Sequence, residues 1–339
     1  SFSADENDGI YSEFPPSVSL WEELPAIVDP GLYLPEERKV RKRAQLDYMC
    51  RAFAKLLQHL KQKQRDENTE TTESESSENE SESSSSRQEK RLTAIDFCSG
   101  GGHLGLILAA NFPEIDVVCL ERNPRNCERI EERKIEGNLQ NVEVMCADVA
   151  DALTVKDFDI GVAIHACGWM TDLVHAICLQ RQASYVLCSC CVGKIAHPGP
   201  PESVQQYVMH PRSKRFQAKF TREQYLDMCK KADVEFYADG GFGLSNFGDD
   251  SFDVAHEVEK ENRQDSEQKE DVCPPATTGD SQNTNSKETK DRIARRFCKT
   301  AVEVDRNAWS REFGYDTFLM QMPSWATPKN DIIVGYHKT

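Results

Sequence analysis

Apolar and polar positions change their spacing along this chain, and each change marks a different kind of element. In LPEERKVRKRAQLDYMCRAFAKLLQHLKQKQ, residues Leu46, Met49, Phe53, Leu56, Leu57 and Leu60 fall three or four apart, the period of a single helix stripe. From Leu92 the pattern becomes short apolar runs separated by longer amphipathic stretches. LTAIDF, DVVCLE, VEVMCA, IGVAIHA and YVLCS read as strands, with HLGLILAANF and PRNCERIEERKI as the clearest helices between them. This alternation predicts an α/β domain, a parallel sheet with helices on both faces. Further on, Ile293, Phe297, Ala301, Val304, Ala308 and Trp309 share one side of a helix that stops at Gly314. TFLMQM and DIIVGY then predict an antiparallel hairpin.

Two tracts break this pattern. Residues 66–90 carry nine acidic and two basic side chains with no aliphatic or aromatic residue, and residues 249–291 carry thirteen acidic and five basic. Neither holds enough apolar surface to offset the entropy of ordering it, so both are expected to be disordered. The predicted organisation is an N-terminal extension over 1–65 with the amphipathic helix, an acidic Ser-rich linker over 66–90, and a domain over 91–339 interrupted at about 249–291. The tracts also account for the net charge of -16, because the remaining residues balance 34 basic against 35 acidic side chains. An acidic partner for the folded part is therefore not excluded.

No apolar run is long enough to span a membrane, and no signal-peptide pattern opens the chain. Ser1 points to a processed chain or a piece of a longer one. The odd cysteine count of 13, with Cys119, Cys146, Cys167 and Cys188 inside strand-like runs, predicts a reducing compartment, cytosol or nucleus. Two basic features are candidates for contact with RNA. One is the polar face of the first helix (Arg38, Lys39, Arg41, Lys42, Arg43, Arg51, Lys55, Lys61, Lys63); the other is HPRSKRF, His210 to Phe216. Against both stands the simpler reading of a solvated helix face and a solvated loop.

The candidate chemistry begins at IDFCSGGGHLGLILA, where a glycine cluster follows a strand and opens a helix. Gly100, Gly101 and Gly102 permit a tight turn with close backbone approach, and the helix from His103 offers free N–H groups. Gly100, Gly102 and Gly105 satisfy the dinucleotide spacing, whereas the Gly-Lys-Ser/Thr of a Walker loop is absent. Asp96 ends the first strand, Glu121 the second, and Asp148 follows the third. Three acids so placed suit S-adenosylmethionine better than NAD: Asp96 with the glycine turn for the methionine part, Glu121 for the ribose, Asp148 for the adenine.

DFCSGGGHLG, LERN, CADV, HACGWMTD, CCVGK, PRSKRF and KNDIIVG, taken in order, closely resemble the glutathione S-transferase C-terminal domain-containing family in its methyltransferase-like region. The likeness runs from WEELPAIVDPGLYLPEERK to the end, omitting only the acidic tracts. It implies a Rossmann-like class I methyltransferase fold with a mostly parallel seven-stranded sheet and an antiparallel last strand. It also implies a cytoplasmic protein with a glutathione-transferase-like domain upstream. One departure matters: Cys98 stands where methyltransferases usually carry the first glycine, with Gly100 and Gly102 in the other two places. Its Cβ is expected to crowd the cofactor's carboxypropyl tail.

In such a sheet the fourth and fifth strands are neighbours, so His165, Cys167, Cys188, Cys190 and Cys191 converge on one edge. His165 is the candidate proton acceptor and Asp172 its helper, although Asp172 also suits a helix cap. A Cys₃His zinc site is disfavoured because Cys-x-Cys-Cys lacks the usual gap, and no metal is expected. A redox role or methyl acceptance by a cysteine stays open, as does simple packing of Cys188. The Asn/Asp-Pro-Pro-aromatic turn of amino-group methylation is missing after strand four. The expected activity is therefore S-adenosylmethionine-dependent methyl transfer with RNA as the first candidate acceptor. A catalytically inactive interaction module and a dinucleotide-dependent oxidoreductase are the alternatives.

Overall fold

Seven strands form one sheet in the computed structural model, which describes residues 11–18, 21–32, 34–74, 91–154, 157–195, 199–233 and 284–338. They are β1 (Thr93–Phe97), β2 (Asp116–Glu121), β3 (Val142–Cys146), β4 (Ile160–Ile164), β5 (Ser184–Cys188), β6 (Tyr315–Gln321) and β7 (Asp331–His337). Their order is β3-β2-β1-β4-β5-β7-β6. Pairings among β1 to β5 are parallel, while β7 runs antiparallel to both β5 and β6, which makes the predicted closing hairpin. β5 is buried along its whole length, as a strand covered on both faces must be, and it reads as a continuous apolar run.

Helices α1 (Glu36–Ser74), α2 (His103–Asn111) and α3 (Pro124–Glu136) cover one face. α4 (Trp169–Gln180), short α5 (Lys214–Gln217), α6 (Arg222–Asp233) and α7 (Thr284–Arg311) build the other side. The α2 sequence is apolar all round because α1 lies over it: every residue from Leu104 to Ala109 is buried. From α1, Leu46, Met49, Phe53, Leu56 and Leu57 enter the same core, so the amphipathic helix is part of the layer rather than an appendage. α1 also continues to Ser74, nine residues into the tract expected to be a linker. The rest of that tract, 75–90, and the insertion up to residue 283 lie outside the described residues.

The stripe expected on α7 faces the core only in part, with Ala301, Val304 and Trp309 packed partly buried against it. Ile293 and Phe297 are exposed, while Lys299, Glu303, Asp305, Arg306 and Ser310 are buried. Charged side chains point inward here because they meet partners: Lys299 Nζ lies 3.1 Å from Glu303, and Arg306 Nε donates to Asp172 Oδ1 at 2.8 Å. No helix among the described residues is long and apolar enough to cross a membrane.

Chain order fixes where a ligand belongs. From β1 the chain winds outward through β2 to β3, then returns to β4 on the other side of β1. The crevice at the C-terminal ends of β1 and β4 is thus the switch point, where open α/β sheets bind ligands.

Candidate cofactor site and cysteine cluster

At that crevice β1 gives way to a turn with positive φ at Cys98 (58°), Gly100 (53°) and Gly102 (78°). Gly102 begins α2, and a Cβ there would stand 2.8 Å from Ile130. At Gly105, a Cβ would collide with Cys119 Sγ and press on Asp96. Asp96 itself is enclosed, and its Oδ2 accepts the Gly105 N–H at 2.9 Å. Burial, with Glu121 adding to it, pushes the Asp96 carboxyl up to about 7 despite that hydrogen bond and one from Ser99. No side chain caps α2, and its first turn carries no acidic residue.

Glu121 clamps two turns together. Its Oε2 accepts Gly100 N–H at 2.9 Å and its Oε1 accepts Asn123 N–H at 2.8 Å. Each oxygen keeps a second lone pair for a further donor. Asn123 then caps α3 by accepting Arg125 N–H, with Pro124 at the first helical position. Asp148 stands half-exposed after β3, its Oδ1 accepting Ala150 N–H at 2.9 Å and its Oδ2 3.9 Å from Arg122. Asp96, Glu121 and Asp148 surround Cys98: burial first, then the charges of these three acids, push its thiol up to about 12. The structure therefore brings together all six expected cofactor residues.

Two contacts at this turn had no signature in the sequence. Arg133, reaching from α3, donates to the Gly101 carbonyl at 2.7 Å and meets His103 at 3.4 Å. Burial, with Lys42, Arg133 and Arg129 nearby, pushes the His103 imidazole well down, so the helix start carries a neutral ring.

The expected catalytic pair is not brought together in this way. His165 lies at the end of β4, half-buried, with φ of 65°, and its N–H donates to Cys188 O at 3.2 Å. Asp172 is corrected from helper to structural anchor. It is fully buried in α4, with Oδ1 held by Arg306, Oδ2 2.9 Å from His210 Nε2, and Arg212 Nη1 at 3.5 Å. Burial raises its carboxyl, but Arg306, His210 and Arg212 outweigh that and hold it well below the usual range.

The same network corrects the reading of HPRSKRF. His210, Arg212, Ser213 and Phe216 are buried, and only Lys214 and Arg215 of the segment are exposed charges. The basic face of α1 is likewise engaged within the chain. Arg43 pairs with Asp29 at 2.6 Å, Arg51 covers the Phe14 and Tyr48 rings, Lys55 holds Ser12, and Lys61 pairs with Glu114.

Beside the glycine turn, Cys167, Cys190 and Cys191 bring their Sγ atoms within 4.8 Å of one another. Cys188 stays apart as a buried strand residue whose Sγ lies 3.9 Å from Lys329 O. Hydrogen bonds from Cys167 and Cys190, with Lys329 and Lys194 adding, hold the Cys191 thiol far below its ordinary value.

Strand order and site together define a class I S-adenosylmethionine-dependent methyltransferase-like fold. Residues 41–198 match the family described as a methyltransferase domain. The chain is homologous to the proteins named glutathione S-transferase C-terminal domain-containing proteins. It is 27% identical over 316 residues to the Drosophila pseudoobscura pseudoobscura homolog, covering 93% of this chain and 40% of that protein. With the Xenopus laevis protein it is 30% identical over 229 residues, 67% of this chain and 31% of that one. The chain thus spans about two fifths of the length of the first of these relatives. Among solved structures, precorrin-6y C5,15-methyltransferase from Geobacter metallireducens matches with a TM-score of 0.28 at 18% identity, over 36% of this chain and 65% of that one. Coclaurine N-methyltransferase bound to N-methylheliamine and SAH gives 0.24 at 20% identity, over 28% and 30%.

Proposed function

We propose that the chain binds S-adenosylmethionine across the C-terminal ends of β1, β2 and β3 and transfers its methyl group to an acceptor beside β4. One observation carries this reading: Asp96, Glu121 and Asp148 converge on the Cys98–Gly102 turn at the switch point. The residues fit the cofactor. The uncapped start of α2 suits its carboxylate, and Glu121 keeps lone pairs for a ribose diol. When bound, the cofactor supplies an electrophilic methyl group on a sulfonium. The protein's part is alignment: Glu121 and the glycine turn fix the nucleoside and tail, and His165 receives the acceptor's proton at the end of β4.

RNA, the first candidate acceptor, loses its two supports, since the basic helix face is largely paired internally and HPRSKRF is mostly buried. The site itself selects only an acceptor that approaches the β4 and β5 loops. We further infer that the chain works in the cytoplasm and that the whole protein carries a glutathione-transferase-like domain upstream, as the relatives' name suggests.

Calorimetric titration with S-adenosylmethionine and S-adenosylhomocysteine tests the proposal. Micromolar binding is expected, weakened at least tenfold in Glu121→Gln, which loses the charge and one of the two backbone hydrogen bonds that Glu121 accepts. A second reading, a fold kept only as an interaction module, draws on Cys98 at the first-glycine place; absence of binding at millimolar ligand would establish it.

A further inference from the structure

The cofactor reading leaves Cys167, Cys190 and Cys191 without a task, yet backbone geometry holds them together. β4 and β5 pair in parallel up to Ile164 and Cys188, so the loops that leave them run side by side. Gly168 N–H donates to Cys191 O at 2.9 Å and His165 N–H to Cys188 O at 3.2 Å, which ties one loop to the other. Gly168 has a positive φ, and a Cβ there would strike the Lys194 backbone, so only glycine lets the loops approach this closely. β5 ends at Cys188, so the alternation that would send Cys190 and Cys191 to opposite faces no longer applies. Both face Cys167, with Cys167 and Cys190 Sγ atoms 2.8 Å apart.

We propose that Cys167, Cys190 and Cys191 bind one zinc ion as a three-thiolate site whose fourth position is open. A tetrahedral ion with zinc–sulfur bonds of about 2.3 Å separates its sulfurs by about 3.8 Å, inside the spread of this cluster. The closest pair widens by about 1 Å, which side-chain rotation supplies. Thiolates are soft ligands and select zinc over magnesium or calcium. Binding displaces the protons still held by the thiols to solvent and leaves the ion and its three thiolates with a single net negative charge, which the nearby Lys194 offsets, Lys329 being paired with Asp233.

The open position follows from the surroundings. Among the described residues the cluster holds three ligands and no fourth, and Cys167 and Cys191 are part-exposed. Three protein ligands with a free site characterise zinc that holds an exchangeable ligand, whereas closed structural sites have four. β4 lies beside β1, so the loop that carries Cys167 leaves the sheet next to the glycine turn, on the side where the proposed acceptor approaches. The expected exchangeable ligand is water or a small thiol.

Metal analysis of the full chain, purified under reducing conditions with zinc supplied, gives the first test. Equimolar zinc is expected, lost at least tenfold in Cys167→Ser, Cys190→Ser and Cys191→Ser and retained in Cys188→Ser. Cobalt titration of the metal-free wild-type chain avoids reliance on variants that fail to fold. Thiolate-to-cobalt charge transfer and intense tetrahedral bands are expected, shifting when a small thiol takes the fourth position. A wild-type chain with neither zinc nor these bands overturns the proposal. So does zinc retained in any of the three variants, or a Cys167–Cys190 disulfide found under the same reducing conditions; a spectrum indifferent to added thiol overturns the open position.

Discussion

Cys98 sits at φ 58°, in the left-handed region that disfavours any side chain with a Cβ. That conformation explains why glycine is usual at this place, a reason the sequence pattern alone does not supply. Cys98→Gly removes the strain but adds freedom to the unfolded chain, so stability should change by less than about 1 kcal/mol. Cofactor affinity should rise, read by calorimetry, if the tail lies where the proposal puts it, because the Cβ there is gone; unchanged affinity would mean that the thiol is no obstacle. Asp96 gives a pH-dependent prediction. A carboxyl raised to about 7 binds a proton more tightly folded than unfolded, so stability falls as pH rises from about 4 to about 7. Asp96→Asn still accepts from Gly105 N–H and escapes this cost. Its unfolding free energy should match wild type near pH 4 and exceed it above pH 7 by at most about 4 kcal/mol, read in urea unfolding. Equal curves across that range would show that Asp96 is ionised throughout.

At the scale of elements, α4 and α7 are joined by buried charge. Asp172, Glu303 and Arg306 are all fully enclosed, and Arg306 bridges the two acids. Arg306→Met removes the cation shared by both carboxylates, leaving Asp172 to His210 and Arg212 and Glu303 to Lys299, and should cost about 3 kcal/mol in urea unfolding. Since Asp172 is held low, its contribution is present above its unfolded pKa near 4 and is lost as pH falls below it. None of this was legible in the sequence. Arg306 and Asp172 lie 134 positions apart, and the apolar periodicity of α7 marks Ala301, Val304 and Trp309 on the packed side but gives no sign of the charged residues buried beside them. For α1 the same rule succeeded, because Leu46, Met49 and Phe53 bury against hydrocarbon. Phe53, packed 5.1 Å from the Phe112 ring, should cost about 3–5 kcal/mol when cut to alanine. A cost below 1 kcal/mol would mean that α1 is only loosely attached.

Across the whole molecule, the sheet was legible because each strand is a short apolar run closed by a turn residue. The meeting of Asp96, the glycines, Glu121 and Asp148 in the crevice proposed for the cofactor was legible because they stand at strand ends, where topology alone decides which residues meet. The cysteine cluster was half legible: convergence follows from β4 lying beside β5, but the pairing of Cys167 with a vicinal pair depends on loop geometry set by Gly168. If the crevice binds its ligand in the folded state alone, saturation must raise global stability. S-adenosylhomocysteine at a hundred times its dissociation constant adds about 2.7 kcal/mol, which for a folded unit of this size lifts the melting temperature by about 5–10 °C. The clamp of Glu121 on Gly100 and Asn123 makes the effect specific, so Glu121→Gln, whose amide NH2 must face one of those two N–H donors, should melt below wild type without ligand and gain little with it. A ligand shift of equal size in both proteins would place the binding elsewhere on the molecule and detach the fold from the activity proposed for it.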